Sequence, residues 1–113
     1  MAYGPYSAVV LKIHDGDTFS VNLDLGFGIH QQELRCRIYG INAPELSTDA
    51  GKKALAYLES ILPVGAIVSI ISHGWDKYGG RFDGEVTYGD LNIGKVMLAE
   101  GQAVPLRSLI DGP

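Results

Sequence analysis

Cysteine is almost absent from this chain of 113 residues, since only Cys36 occurs. One cysteine cannot form a disulfide within the chain, and its place in an alternating apolar segment indicates a core side chain. Scarce cysteine agrees with a reducing compartment. Residues 1–5 contain no basic stretch followed by an apolar one, so we expect no signal peptide and a cytoplasmic protein.

Long hydrophobic runs and an excess of basic residues are also missing. No run approaches the roughly 20 apolar residues that a membrane-spanning helix requires, so we expect no membrane partner. Asp and Glu number 13 against 9 for Lys and Arg, which gives a formal charge of −4. Such a chain lacks the broad basic face of general nucleic-acid binders. Any phosphate binding must therefore depend on a local cluster of cations or on a bound metal ion.

The content of apolar residues, in contrast, is sufficient for a folded domain. Apolar residues make up 46% of the chain, which argues against disorder. A length of 113 residues predicts one domain over 1–113 with a core large enough to fold unaided. We expect this domain to be a monomer.

Alternating apolar and polar residues predict strands in the first third of the chain. Residues 19–25 alternate cleanly, residues 34–38 do the same, and residues 9–13 form a β-branched run. Asp15 and Gly16 can form a tight turn between the first two strands, because this dipeptide tolerates positive φ. The chain therefore opens with a three-stranded antiparallel meander.

The apolar spacing becomes helical after Ser47. Ser47 or Thr48 can cap this helix, and Pro63 ends it. Further predicted elements are strands at 66–72 and 84–88 around a loop at 73–81, a helix at 91–100 that exits through Gly101, a short strand at 103–104 and a tail at 105–113. The predicted fold is mainly β with helices (α+β): a five-stranded OB-type barrel, with one helix between strands 3 and 4 and a second after strand 5.

The third strand carries two arginines and ends at a proline. Arg35 and Arg37 lie on the face opposite Cys36, and neither is needed for folding. The strand ends at Pro44, which Glu45 follows directly. An arginine and a carboxylate in this arrangement indicate a phosphate site with an acid available for proton transfer. The alternative is an edge strand with solvated arginines and an ordinary proline turn.

The turn between the first two strands carries two carboxylates, Asp15 and Asp17. Hard divalent cations take oxygen ligands from such acidic turns, together with backbone carbonyls and water. The same sequence is also common in hairpins that bind nothing. The metal interpretation becomes stronger if the barrel brings Asp17 beside Asn42 and Glu45.

Taken together, three segments resemble the motifs of the staphylococcal nuclease (thermonuclease) family. The segments are Asp15-Gly16-Asp17-Thr18, then Arg37 with Asn42-Ala43-Pro44-Glu45, and finally Asp76-Lys77-Tyr78-Gly79-Gly80-Arg81. The resemblance covers about residues 9–104, in the same order and with similar spacing. It implies an OB fold and a calcium-dependent phosphodiesterase that acts on DNA and RNA.

The resemblance also implies a set of Ca²⁺ ligands. By position, Asp17 would be a side-chain ligand, Asp15 a nearby carboxylate, and Ala43 a ligand through its backbone carbonyl. Asn42 stands where the family pattern normally has a calcium-binding aspartate. Asparagine still offers an oxygen, but the site loses one negative charge.

Catalytic and substrate-binding roles follow by the same resemblance. Glu45 would be the general base that accepts a proton from the attacking water, and Arg37 and Arg81 would stabilise charge on the phosphate. Lys77 and Tyr78 would contact the nucleotide. Alternatively, Arg81 is a solvated loop residue, and Lys77 and Tyr78 only shape the turn.

Two further departures from the family pattern concern the second half of the chain. Two glycines, where the pattern usually has one, precede Arg81 and leave its register open by one residue. The chain also ends where the best-known member continues into a third helix, which we expect to be lacking here.

We therefore expect a calcium-dependent nuclease, a hydrolase and endonuclease with little sequence preference, whose products carry 3′-phosphate and 5′-hydroxyl ends by resemblance. The alternative is a catalytically weak or inactive OB-fold module that binds nucleic acid or protein. Glu45, Arg37 and Arg81 favour the enzyme, because a pure binder does not need a general base. The acidic composition and Asn42 favour the binding module.

Overall fold

A computed structural model describes residues 2–77 and 79–106 as a closed five-stranded barrel with two helices. The elements are β1 (Tyr3–Asp15), β2 (Thr18–Asp24), β3 (His30–Ile38), β4 (Ile41–Asn42), α1 (Asp49–Ile61), β5 (Ile67–Trp75), β6 (Arg81–Tyr88), β7 (Leu91–Asn92), α2 (Ile93–Ala99) and β8 (Val104–Pro105). The predicted α+β, OB-type barrel is confirmed. No helix within the described residues is long and apolar enough to cross a membrane.

The barrel closes because β3, the first strand in the order of the sheet, pairs with β2 on one side and with β6 on the other. β1 pairs antiparallel with β2 and β5, and β5 pairs antiparallel with β6. Parallel pairing of β3 with β6 closes the cylinder, with Arg35 opposite Arg81 and Arg37 opposite Asp83. This last pairing places the arginine strand beside the segment that carries Arg81.

Inward-facing residues of the barrel strands and helices form one core. Phe19, Val21 and Leu23 alternate inward along β2, as their spacing predicts. In β1 the register shifts between Val10 and Lys12, so Val10 and Ile13 are both buried although they lie three residues apart. The helices contribute Ala54, Leu58, Ile93 and Met97 to the core, and Leu62 adds to it directly after α1.

Both helices begin at side-chain caps. Thr48 caps α1 by accepting a hydrogen bond from the Gly51 N–H at 3.0 Å, so Thr48 rather than Ser47 takes this role. Asn92 caps α2 by accepting a hydrogen bond from the Lys95 N–H at 3.1 Å. Gly101 has φ +70°, and the predicted left-handed exit from α2 is confirmed.

Several strand limits differ from the prediction because partners distant in sequence extend them. β1 begins at Tyr3 rather than Val9, since Tyr3 pairs with Ser72 of β5. β5 continues to Trp75, which pairs with Phe82 of β6. The predicted loop at 73–81 is therefore a shorter turn between two strands.

The final described residues cover the start of the predicted tail. β8 pairs with β4, with Val104 opposite Asn42 and Pro105 opposite Ile41. Residue 105 is thus part of a strand, and the Leu106 N–H donates to the Gly40 carbonyl at 2.9 Å. Residues 107–113, and with them the predicted lack of a third helix, lie outside the described residues.

We predict that Gly84→Ala lowers the free energy of unfolding by about 1–3 kcal/mol, because added volume in a packed core forces its neighbours apart. A Cβ at Gly84 would lie 2.7 Å from Ile70 Cγ2 and 2.9 Å from Cys36 Sγ. Urea denaturation followed by circular dichroism measures the change.

The matched control is Gly94→Ala, in α2. Its Cβ would meet only Ile38 Cγ2 within 3.4 Å, at 3.2 Å, and the gain in helix propensity of about 1 kcal/mol offsets this contact. We expect little change in stability. Equal stabilities for Gly84→Ala and the wild type would contradict the close packing of β6.

Candidate active site

The carboxylate of Asp17 connects three segments that are distant in sequence. It belongs to the turn before β2 and is only 8% exposed. Its Oδ2 accepts the Ala43 N–H at 2.9 Å and lies 3.6 Å from Arg37 Nη2. Its Oδ1 accepts the Thr18 hydroxyl at 2.9 Å. The fold therefore brings Asp17, Arg37 and Ala43 together.

Arg37 is buried although it lies on the face opposite the core. Its side chain extends towards Asp17, and its Nη2 also donates to Asn42 Oδ1 at 3.2 Å. The alternative of a solvated side chain is therefore excluded for Arg37, whereas Arg35 is exposed. Asn42, the residue that departs from the family pattern, accepts its hydrogen bond from the guanidinium.

Asp15 stabilises the turn that presents Asp17. Its Oδ1 accepts the Asp17 backbone N–H at 3.0 Å. Burial raises the pKa of the Asp17 carboxyl, the Ala43 N–H and Arg37 lower it, and Asp15 raises it further. Simultaneous charge on both carboxylates is therefore unfavourable, and a cation bound by them would offset this repulsion.

The candidate ligands offer only oxygen atoms, which is the type of ligand that calcium prefers. Asp15 and Asp17 supply carboxylates, and Asn42 supplies an amide oxygen. Ala43 contacts Asp17 through its N–H, so its carbonyl remains a predicted ligand. Among the described residues no group of three or more His, Cys, Asp or Glu side chains is placed to hold a metal. A bound calcium would thus need amide, carbonyl and water oxygens to complete its coordination.

The backbone of Glu45 is fixed, whereas its side chain is exposed. The Glu45 carbonyl accepts the Thr48 N–H at 3.0 Å and the Thr48 hydroxyl at 2.7 Å. Gly51 of α1 packs directly against this carbonyl, and a Cβ at Gly51 would collide with it. The start of α1 therefore holds Glu45 next to Ala43 while its carboxylate faces solvent.

Small residues allow α1 to lie close to the acidic turn. A Cβ at Gly16 would lie 2.7 Å from the Cβ of Ala54 and 2.8 Å from the Cβ of Ala43. Larger side chains would separate the turn, the segment after β4 and α1. Neither Gly16 nor Gly51 was predicted to position the site. Gly16 lies against residues that are distant in sequence, and the contact of Gly51 with Glu45 depends on how the chain enters α1.

Arg81 lies at the start of β6, where its Nε donates to Asp76 Oδ2 at 3.3 Å. Asp83 lies two residues further on, opposite Arg37 in the parallel pairing. Burial and Asp76 raise the pKa of the Asp83 carboxyl, while Arg37 and Arg81 oppose the rise. Asp83 was not among the site residues predicted from the sequence. Arg81, Asp83 and Glu85 alternate with buried residues along β6, and this pattern indicates that Asp83 shares the face of Arg81.

A second cluster that the sequence did not predict borders Asp83. His73 Nε2 lies 2.6 Å from Glu85 Oε2, and the His73 ring stacks on Tyr39 with 3.6 Å between ring centroids. Of the two predicted nucleotide-contacting residues, Lys77 is exposed in the turn before β6. Tyr78 lies outside the described residues.

Comparison with known proteins adds no assignment. No protein-family model matches the chain, and no curated protein is significantly similar to it in sequence.

We predict that Asp83→Asn raises the free energy of unfolding, relative to the wild type, increasingly as the pH rises from about 4 to neutral. A carboxyl whose pKa is raised by folding stabilises the protein fully below its unfolded pKa of about 3.9, and this contribution is lost as the pH rises through the folded pKa. Asparagine does not titrate, so the variant avoids this loss.

Urea denaturation of both proteins at several pH values measures the difference, in which the titrations of groups that do not interact with Asp83 cancel. Asp90→Asn, at an exposed position, is the matched control for the removal of one carboxylate. A difference for Asp83→Asn that stays constant or falls with pH would contradict the burial of this carboxyl.

Proposed function

We propose that the protein is a calcium-dependent nuclease that hydrolyses phosphodiester bonds of DNA or RNA with little sequence preference. The observation that carries the proposal is the Asp17 carboxylate in contact with both Ala43 and Arg37. These residues belong to two of the three segments that resemble the staphylococcal nuclease family. A structural turn alone does not require a buried carboxylate beside a buried guanidinium.

Arg37 and Arg81 would bind the phosphate group. Nucleophilic attack on a phosphodiester builds negative charge on the phosphate oxygens, and guanidinium groups stabilise that charge with paired hydrogen bonds. Each guanidinium has five N–H donors. Arg37 uses Nη2 towards Asn42 and Asp17, and Arg81 uses Nε towards Asp76. Both side chains therefore have further N–H groups for a phosphate.

Glu45 would act as the general base. Glu45 is exposed and lies two residues after Ala43, whose N–H binds Asp17. It would accept a proton from the water whose oxygen attacks phosphorus, while the bond to the leaving 5′ oxygen breaks. By resemblance, this leaves a 3′-phosphate and a 5′-hydroxyl.

Asp15, Asp17, Asn42 and the Ala43 carbonyl would hold calcium. When bound, calcium would supply positive charge next to the phosphate oxygens. Asp17 and Arg37 already neutralise each other in part. The two carboxylates of Asp15 and Asp17 would therefore have to balance both the divalent ion and the guanidinium. The expected calcium affinity is therefore low, with the substrate phosphate completing the site.

A specific observation favours the second candidate, an inactive or weakly active OB-fold module that binds nucleic acid or protein. Each catalytic arginine already contacts a carboxylate, Arg37 at 3.6 Å from Asp17 and Arg81 at 3.3 Å from Asp76. Substrate phosphate must compete with these partners. In a binding module the same ion pairs would serve only to stabilise the strands.

Plasmid digestion separates the two candidates. Purified protein is incubated with supercoiled DNA over a series of calcium concentrations and with a chelator. The nuclease gives calcium-dependent nicking and fragments with 5′-hydroxyl ends. Binding of DNA without cleavage at any calcium concentration would favour the module.

We predict that Glu45→Gln lowers the cleavage rate by about 10²–10⁴, the usual cost of losing a general base. Folding should be unchanged, because the structure holds this residue through its backbone carbonyl rather than its side chain. Initial rates on a labelled oligonucleotide measure the effect, and circular dichroism checks the fold. Glu59→Gln, on the exposed surface of α1, should cleave like the wild type. Unaltered cleavage by Glu45→Gln would exclude this mechanism.

We predict that Asn42→Asp tightens calcium binding by roughly one to two decades, or about 1.4 kcal/mol per decade. The new carboxylate adds a charged ligand and also faces Arg37, which Asn42 now contacts. Calorimetric titration of calcium into both proteins measures the change. Equal affinities would show that residue 42 is not a ligand.

A further inference from the structure

A cavity of about 320 Å³ opens at the end of the barrel where β1 begins and β5 ends. Much of its wall is aromatic. Trp75 and Tyr3 lie at the rim with 65% and 53% of their surfaces exposed, whereas Phe82 is buried. Gln31 and Ser72 add an amide and a hydroxyl to the lining. Aromatic walls with a few polar groups are typical of a site for a planar ring that carries hydrogen-bonding groups.

The cavity lies at the end of the barrel opposite Asp17, and two arginines lie beside it. Leu34 and Phe82 line the cavity, and their neighbours in sequence are Arg35 on β3 and Arg81 on β6. Arg35 and Arg81 lie opposite each other in the parallel pairing of these strands. A nucleic-acid strand whose phosphates contact Arg35 and Arg81 would therefore pass beside the cavity.

The cavity also shares a turn with Arg81. Trp75 pairs with Phe82, the residue after Arg81, and both Trp75 and Phe82 line the cavity. Asp76, which follows Trp75, accepts a hydrogen bond from Arg81 Nε and donates its backbone N–H to the Arg81 carbonyl at 2.8 Å. A phosphate at Arg81 would thus place the attached nucleoside near the cavity rim.

We propose that this aromatic cavity binds an unpaired nucleobase of a nucleic acid whose phosphates contact Arg81 and Arg35. The proposal rests on the proposed nuclease function. Stacking on Trp75 and Tyr3 would supply affinity for any base, since every base has an aromatic face. Arg35 and Arg81, which neighbour the lining residues Leu34 and Phe82, favour an anionic strand over an uncharged apolar ligand.

The intrinsic fluorescence of Trp75 tests the proposal directly, because Trp75 is the only tryptophan of the chain. A short single-stranded DNA oligonucleotide, and in a second arm the RNA of the same sequence, is titrated into the full chain with a chelator present to prevent cleavage. We expect saturable quenching. An abasic oligonucleotide of the same length keeps the phosphates but lacks bases, and it should bind more weakly without quenching.

Variants give a second readout that does not need the fluorophore. Anisotropy of a labelled oligonucleotide should show Trp75→Ala binding about tenfold more weakly, within the range of one lost stacking contact. Trp75→Phe should retain most of the affinity, and Tyr3→Ala should also bind more weakly. Phe27→Ala is the matched control, because Phe27 is a fully exposed aromatic residue that does not line the cavity.

The outcomes separate this proposal from the proposed function. Equal affinity for the abasic strand, or unchanged binding by both Trp75→Ala and Tyr3→Ala, would overturn the nucleobase site even if calcium-dependent cleavage persists. Base-dependent binding without cleavage at any calcium concentration would reject the nuclease and retain the site. Quenching by an uncharged leucine-rich peptide but not by the oligonucleotides would overturn the proposal and assign the cavity to an apolar protein segment.

Discussion

The hydrogen bond between the Asp17 carboxylate and the Ala43 N–H is the interaction on which the candidate site depends. It joins the turn after β1 to the segment after β4, across 26 positions of sequence. Arg37 approaches the same carboxylate oxygen from β3. Because this carboxylate is almost buried, losing either partner would leave a poorly solvated charge, which is costly. One side chain therefore sets the spacing of three segments.

Five charged side chains on the outside of the barrel alternate in sign. Asp17, Arg37, Asp83, Arg81 and Asp76 follow one another from the acidic turn across β3 and β6 to the turn before β6. Such alternation lets a chain of net charge −4 keep two guanidinium groups in place. An anionic ligand that binds there shares each guanidinium with a carboxylate, and a cation at the acidic turn would weaken the attraction of Asp17 for Arg37.

Local patterns were sufficient to predict the barrel and its helices. Alternation in β2 and the helical spacing after Thr48 depend on neighbouring residues and on burial of one face, which the sequence displays directly. The limits of β1 and β5 could not be predicted in this way. Tyr3 and Trp75 are in strands because Ser72 and Phe82 pair with them, and such partners lie far away in sequence.

For the candidate site, the sequence by itself determined which residue types are present and in what order, including Asp17, Arg37, Asn42 and Glu45. Their chemistry and spacing are local properties. Only the tertiary structure decided that Asp83 lies opposite Arg37, since this follows from the parallel register of β3 and β6. It likewise decided that Gly51 packs against the Glu45 carbonyl. Contacts between strands and across turns depend on register and close packing, neither of which any single segment encodes.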